Sequence, residues 1–255
     1  MTRPFFRTAG PFEQTVRRLY SRMMRGLGMS PHITRAQGAR FWVDPNDFVD
    51  SYIALFGMWE LTQLEELAQV ATATKTDWFL DIGANTGFYS VMFAAKNLAD
   101  RIVAFEPDPG NFARLMANLD VNHLAGRIEA IPLALGDASS EVTLYEGAKG
   151  NRGESTIVVP EQTPQEVTFR VQQARLDDLY AIAGQRIIIK MDVEGYEFHV
   201  LTGMERTLRD NACYLQIEHY GERHEELKSR MADYGYRYLH THDIDLYFTN
   251  MDDVG

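Results

Sequence analysis

The sequence predicts an α/β protein whose mostly parallel sheet is covered by helices on both faces. Three observations carry this expectation. From residue 75 onward, short apolar runs alternate with stretches of helical period. The first run, "WFLDIGANTGFYS" from Trp78, ends on an acid and a glycine loop before it turns into a helical pattern. The composition of the 255-residue chain, 45% hydrophobic and 24% charged, suits one large core with extensions better than two independent domains.

Taken in order, residues 1–74 read as a helical extension or cap and residues 75–255 as the main domain. The first 43 residues hold Arg3, Arg7, Arg17, Arg18, Arg22, Arg25, Arg35 and Arg40 against the single acid Glu13, a charge of +7 within a chain of −11. Inside this segment Phe12, Val16, Leu19, Tyr20, Met23 and Leu27 recur at helical spacing, and Arg17, Arg18, Arg22 and Arg25 fall mostly elsewhere around the helix. The result is a basic amphipathic helix with two readings: a cap laid on the main domain, or an interfacial helix making peripheral contact with anionic lipid or an anionic carrier-linked substrate.

Buried strands are expected at Trp78 to Leu80, Ile102 to Phe105, Ile128 to Ile131, Ile187 to Met191 and Tyr214 to Ile217, with helices at 87–97, 109–123 and 195–208. Such alternation means a parallel sheet buried on both sides. Between the third and fourth strands, residues 141–175 carry the alternating segments "EVTLYE" and "EVTFRV", an inserted β-hairpin joined by "GAKGNRGEST". A helix near 222–234 precedes "YRYLH" and "DLYFT", which read as a closing hairpin.

The charge of −11 argues against a general nucleic-acid partner, which would need cationic surface to displace counterions from phosphates. One cysteine, Cys213, allows no internal disulfide. With no signal-like stretch and no apolar run of about 18 residues, the expected address is the cytoplasm.

In an open α/β sheet, ligands bind beyond the carboxyl ends of the strands, where the first strand-to-helix turn offers backbone N–H groups and a positive helix end. The loop from Gly83 through Ala84, Asn85 and Thr86 to Gly87 lies there, and Glu106 ends the next strand where an acid accepts ribose hydroxyls. The loop lacks GxGxxG, no GK[ST] follows it, and Asp81 precedes it. Asp81 would repel a diphosphate and attract an ammonium, so a cofactor with an amino-acid end, a ribose and a cationic centre fits better than NAD or ATP. S-adenosylmethionine has all three.

The segments "FLDIGANTGFYS", "VAFEPDPGNFARLMANL", "LALGD", "STI", "LDDL" and above all "IIIKMDVEGYEFHVLTGM" resemble the FkbM-type S-adenosylmethionine-dependent methyltransferases, over roughly residues 38 to 220. The resemblance implies a class I, Rossmann-like methyltransferase fold: seven mostly parallel strands with the last antiparallel. It implies O-methylation of a sugar, glycan or polyketide-like metabolite. Carried onto this chain, it implies that Asp81 and the Gly83–Gly87 loop hold the methionine end. Glu106, followed by Pro107, would hold the ribose, Leu135 and Asp137 the adenine edge, and Asp192 would border the cofactor. Each acid also has a plainer reading: Asp81 as a helix cap, Glu106 as a strand end before "PDP", Asp137 in a "GD" turn.

Methyl transfer to a hydroxyl needs alignment, exclusion of water and a base. The fourth strand ends in "KMDVEGYE" and the fifth in "QIEHY", which brings Asp192, Glu194, Glu218 and His219 to one sheet edge as catalytic candidates. Asp192 with Glu218 could instead hold a divalent metal such as Mg²⁺, a reading less favoured than a plain base network, and Lys190 could neutralise part of the cluster. His240 and His242 have ligand-like spacing but read better as strand residues, as His123, His199 and Cys213 read as packing residues. Trp59 and Glu60 could close over the cofactor or anchor a helix, and Asn151, Gly153 and Ser155 could line the acceptor pocket. An N-methyltransferase of a small molecule or peptide shares the cofactor half, and a non-catalytic S-adenosylmethionine-binding module would keep the fold alone.

Overall fold

The computed structural model describes residues 11–29, 31–146, 155–158 and 168–254. The expected strands form as β3 (Trp78–Ile82), β4 (Arg101–Phe105), β5 (Ile128–Ile131), β9 (Arg186–Met191) and β10 (Ala212–Glu218). The closing hairpin is β11 (Arg237–His242) and β12 (Asp245–Thr249). These seven strands make one sheet in the order β11-β12-β10-β9-β3-β4-β5, in which β12 runs antiparallel to β10 and the pairs from β10 to β5 are parallel. This is the class I methyltransferase arrangement, with the antiparallel strand inserted next to the fifth.

Apolar runs rather than alternation mark the central strands because both faces are buried. Phe79, Ile102, Ile188 and Tyr214 pack on one face; Leu80, Val103, Ile189 and Leu215 pack on the other. Helices α4 (Phe88–Ala95) and α5 (Pro109–Val121) cover the first face. Asp108 caps α5 by accepting from the N–H groups of Gly110 and Asn111, with Pro109 opening the first turn.

After the short α6 (Leu176–Leu179), the single helix expected at 195–208 is instead two, α7 (Glu197–Gly203) and α8 (Glu205–Asp210). The break at Met204, φ −122°, follows Gly203, which lies against another backbone: a Cβ there would come within 1.8 Å of the Gly136 carbonyl oxygen. Helix α9 (His224–Asp233) precedes the closing hairpin.

The insertion is the expected antiparallel pair, β7 (Ser140–Tyr145) with β8 (Thr168–Ala174), extended by β6 (Ala134–Leu135) into a separate three-stranded sheet. Most of its connecting loop, including Asn151 and Gly153, lies outside the described residues, as do Arg3 and Arg7.

The amino-terminal extension is not purely helical. After α1 (Pro11–Gly26) comes a hairpin, β1 (His32–Ala36) with β2 (Ala39–Val43), and then α2 (Phe48–Phe56) and α3 (Leu61–Thr74). The hairpin escaped a period-based reading because β2 buries alternate residues in only five positions. Phe41, Val43, Ile53, Leu64 and Leu67 share one hydrophobic cluster with Phe79 and Phe93, so the extension completes the first face of the main sheet.

Candidate active site

The loop after β3 is shaped by its protein neighbours. The N–H groups of Gly83 and Ala84 both donate to the Phe105 carbonyl, at 3.0 and 2.9 Å. Gly83 has φ 79°, and a Cβ there would fall 1.7 Å from the Asp192 carbonyl oxygen; at Gly87, φ 80°, a Cβ would fall 2.2 Å from the Leu115 Cδ1 methyl of α5. The sequence assigned these glycines to ligand approach, but the contacts show that they first allow β3, β9 and α5 to converge.

Asp81 combines two of its readings. One carboxylate oxygen accepts from the Ser90 N–H (3.1 Å) and hydroxyl (2.6 Å) in the first turn of α4, and the other, Oδ1, is buried with no hydrogen-bond partner. Burial pushes this carboxyl above its ordinary range, against Lys190 and Ser90, which pull it down. A buried acid with an unanswered oxygen fits a cofactor ammonium.

Glu106 is held from both sides, accepting from the Asn85 N–H at 2.7 Å and the Asp108 N–H at 2.8 Å. Burial pushes it up to about 8 in spite of these donors. A cavity opens beside Glu106, beyond the ends of β3 and β4; Asp81 lies buried behind it and is not among the residues that line it. Gly83, Asn85, Glu106, Pro107, Leu135 and Asp192 line it, and Leu144, Val193 and Tyr196 add apolar wall. Ser155 and Ile157 of the insertion also reach it. There the Ser155 hydroxyl donates to Asp108 at 3.0 Å, and Thr156 donates to the Glu194 carbonyl at 2.7 Å. Its lining thus combines polar groups, Asn85, Glu106 and Asp192, with apolar ones, Pro107, Leu135 and Leu144. Asp137 stands apart: its carboxylate meets His199 Nδ1 at 2.8 Å, half exposed, and it is not among the residues lining the cavity.

Next to the cavity the structure gathers more acid than the sequence alone implied. Asp192, Glu194 and Glu218 each bring a carboxylate oxygen within 4.8 Å of the others. Lys190 Nζ pairs with Asp192 at 2.9 Å, and the Tyr220 hydroxyl donates to Glu218. From the extension, Glu60 accepts from the Tyr89 hydroxyl at 2.8 Å, and from β12 Asp245 is held by Gln63 and Gln216. Burial pushes Glu60 up to about 7, aided by Asp245 and opposed by Lys190. Glu218 lies well above the carboxylate range through burial first, then the charges of Asp192 and Glu60. Burial alone would lower the Lys190 ammonium, but Asp192, Glu60, Asp81 and Glu218 together raise it.

Glu60, which the sequence offered as closing over the cofactor or anchoring a helix, joins this acid group through Tyr89, whereas Tyr89 and Asp245 themselves had no sequence signal because they come from distant elements. Tyr89 and Asp245 are buried and Glu60 is half-buried beside them. Asp192, Glu194 and Glu218 offer the hard oxygens that suit Mg²⁺, while Lys190 already neutralises part of Asp192.

His219 is separated from this group. Cys213, Leu215 and Ile217 face the second cluster, and His219 continues that register, with Glu197 Oε2 accepting from its Nδ1 at 2.9 Å beside Phe198. Its Nε2 is buried without a partner. His240 bonds Glu66 at 2.8 Å and stacks on Tyr247, while His242 lies 3.7 Å from Asp243. Trp59 packs edge-on against Phe48 and Tyr52. Cys213 is fully buried and its thiol is pushed up to about 12 by burial.

The chain is similar to several known proteins. The chain is similar to Methyltransferase 1 of Beauveria bassiana, 28% identical over 163 residues that cover 56% of this chain and 64% of that protein. It thus spans less than two thirds of that relative's length. It is also similar to the hexuronic acid methyltransferase AglP of Haloferax volcanii, 25% identical over 188 residues and 72% of each chain. Among solved structures, the methyltransferase FkbM from Methylobacillus flagellatus KT aligns over 95% of this chain and 72% of its own, at 16% identity and a TM-score of 0.49. Residues 81–238, from the acid of the cofactor loop to the closing hairpin, match the methyltransferase FkbM domain, and the chain therefore belongs to that family.

Proposed function

We propose that this protein is an S-adenosylmethionine-dependent O-methyltransferase acting on a hydroxyl of a sugar, glycan or polyketide-like metabolite. The observation that carries this reading is the position of Asp192, which lines the cofactor cavity and at the same time belongs to the acid cluster with Glu194 and Glu218. S-adenosylmethionine supplies an electrophilic methyl group with a neutral thioether as leaving group. When the cofactor binds, Asp81 would answer its ammonium, Glu106 would accept from the ribose hydroxyls, and Pro107 and Leu135 would border the base. Asp192 orients the acceptor hydroxyl, and Glu218, made more basic by burial and by the charge of Asp192, takes its proton.

The AglP relative is named for a hexuronic acid, which supports a sugar acceptor. A cluster of carboxylates around one lysine, among the described residues, opposes an anionic acceptor and favours an uncharged polyol. The experiment is methyl transfer from labelled S-adenosylmethionine to a panel of neutral and carboxylated sugars and polyketide alcohols, with the product gaining one methyl group. Cofactor binding with no transfer to any hydroxyl in the panel, but transfer to an amine, overturns it.

A divalent cation held by Asp192, Glu194 and Glu218 is the second reading, favoured by the convergence of their oxygens. Full activity after exhaustive chelation removes it.

A further inference from the structure

The amino-terminal helix attaches to the protein by the wrong face for a simple cap. Its inward side is polar. The Arg17 guanidinium stacks 4.2 Å over the Phe48 ring and bonds the Ser51 hydroxyl, the Ser21 hydroxyl donates to Asn46 at 2.7 Å, and Tyr20 meets His32 at 2.8 Å. Met24 is the one buried large apolar side chain of this helix among the described residues.

The apolar stripe points away from the domain. Phe12 is 80% exposed, Leu19 61%, Met23 54% and Leu27 64%. Their spacing of seven, four and four residues sets them on one line along the helix, and Leu27 continues the turn through its N–H bond to the Met23 carbonyl. Exposed Arg22 borders this line, and exposed Arg18 and Arg25 follow around the helix.

We infer that α1 docks this protein on an anionic lipid surface, with Phe12, Leu19, Met23 and Leu27 entering the headgroup and acyl boundary and Arg18, Arg22 and Arg25 meeting the phosphates. Charge complementarity selects this occupant. The first 43 residues carry +7 and the rest of the chain −18, so an anionic bilayer attracts this end and repels the remainder. A second copy is the poorer partner, because pairing two such faces would oppose their arginines. The contact is peripheral: among the described residues no helix is long and apolar enough to cross a membrane.

The test is flotation of the full chain with vesicles of phosphatidylcholine alone and of phosphatidylcholine with about one quarter phosphatidylglycerol. The wild-type protein should float with the anionic vesicles and not with the neutral ones, and the bound fraction should fall at high salt. The double variant Leu19→Glu, Met23→Glu should lose at least about tenfold in partitioning, with unchanged circular dichroism and cofactor affinity. Arg18→Ser, Arg22→Ser, Arg25→Ser should lose a similar factor with the apolar stripe intact. Absence of wild-type flotation overturns the inference, as does equal flotation of both variants. A wild-type dimer in light scattering that the double variant converts to monomer, without vesicle binding, reassigns the face to a second copy. None of these readouts involves methyl transfer, so they stand or fall apart from the proposed activity.

Discussion

The two halves of the site are built differently. The cofactor half, from Gly83 to Glu106, is made of backbone and of side chains close in sequence: one strand end, one loop and the next strand end. The acid half is made of side chains from five elements or their ends, with Glu60 before α3, Tyr89 in α4, Lys190 in β9, Glu218 in β10 and Asp245 in β12. Backbone-built sites tolerate little change in chain path, whereas side-chain clusters can be altered one charge at a time. The first half is therefore expected to govern binding and the second turnover.

The largest effect that would break this division is Glu218→Gln. Turnover should fall about 10²–10⁴-fold, the usual value of a positioned base, while calorimetry gives an unchanged cofactor affinity. Asp192→Asn should also suppress turnover, and because Asp192 lines the cavity it tests whether the two halves separate at all. Loss of cofactor binding in both variants would make the acid cluster part of the cofactor half.

Gly83→Ala acts on the other side. Its positive φ and the collision with the Asp192 carbonyl should lower stability by about 2–4 kcal/mol in denaturant titration. Glu106→Ala should weaken cofactor binding about 100-fold, as expected for lost charged hydrogen bonds to two hydroxyls, with kcat little changed at saturation.

Titration sharpens the comparison further. Glu60 and Glu106 titrate at about 7 and about 8 in the folded protein, above the ordinary glutamate value of 4.5. The native state thus holds protons that the unfolded chain has released, and the stability of the cofactor-free protein should fall as pH rises from about 4.5 to 8. Ribose hydroxyls donate to the ionised form of Glu106, so cofactor affinity should rise by up to about tenfold per pH unit below 8. Glu106→Gln should flatten that profile in calorimetry at pH 6.5 and 7.5, and a slope unchanged by the substitution would remove Glu106 from the ribose.

His219→Ala gives the smallest expected change in turnover. Removing the partner of fully buried Glu197 should cost about 1–3 kcal/mol of stability. A large drop in kcat with stability and cofactor affinity intact would return His219 to the role of base.

The sequence by itself determined the strand and helix alternation, the glycine loop, the acids that end successive strands and the inserted hairpin. These are local: an apolar run, a turn residue and a strand end are written within a few positions of one another, and a parallel sheet leaves its ligand edge in one place. Tertiary structure alone decided the rest. The β1–β2 hairpin was too short for its period to show, and the gathering of Glu60 and Asp245 around Lys190 depends on sheet order, not on spacing. Asp192 and Glu218 meet because β9 and β10 are adjacent and in register, and His219 leaves them because one residue along a strand reverses the face. The amphipathic period of α1 was plain in the sequence, but the face that turns to the protein was set by Arg17, Ser21 and their partners in and before α2. A helix's period fixes which residues share a side, and only packing fixes which way that side looks.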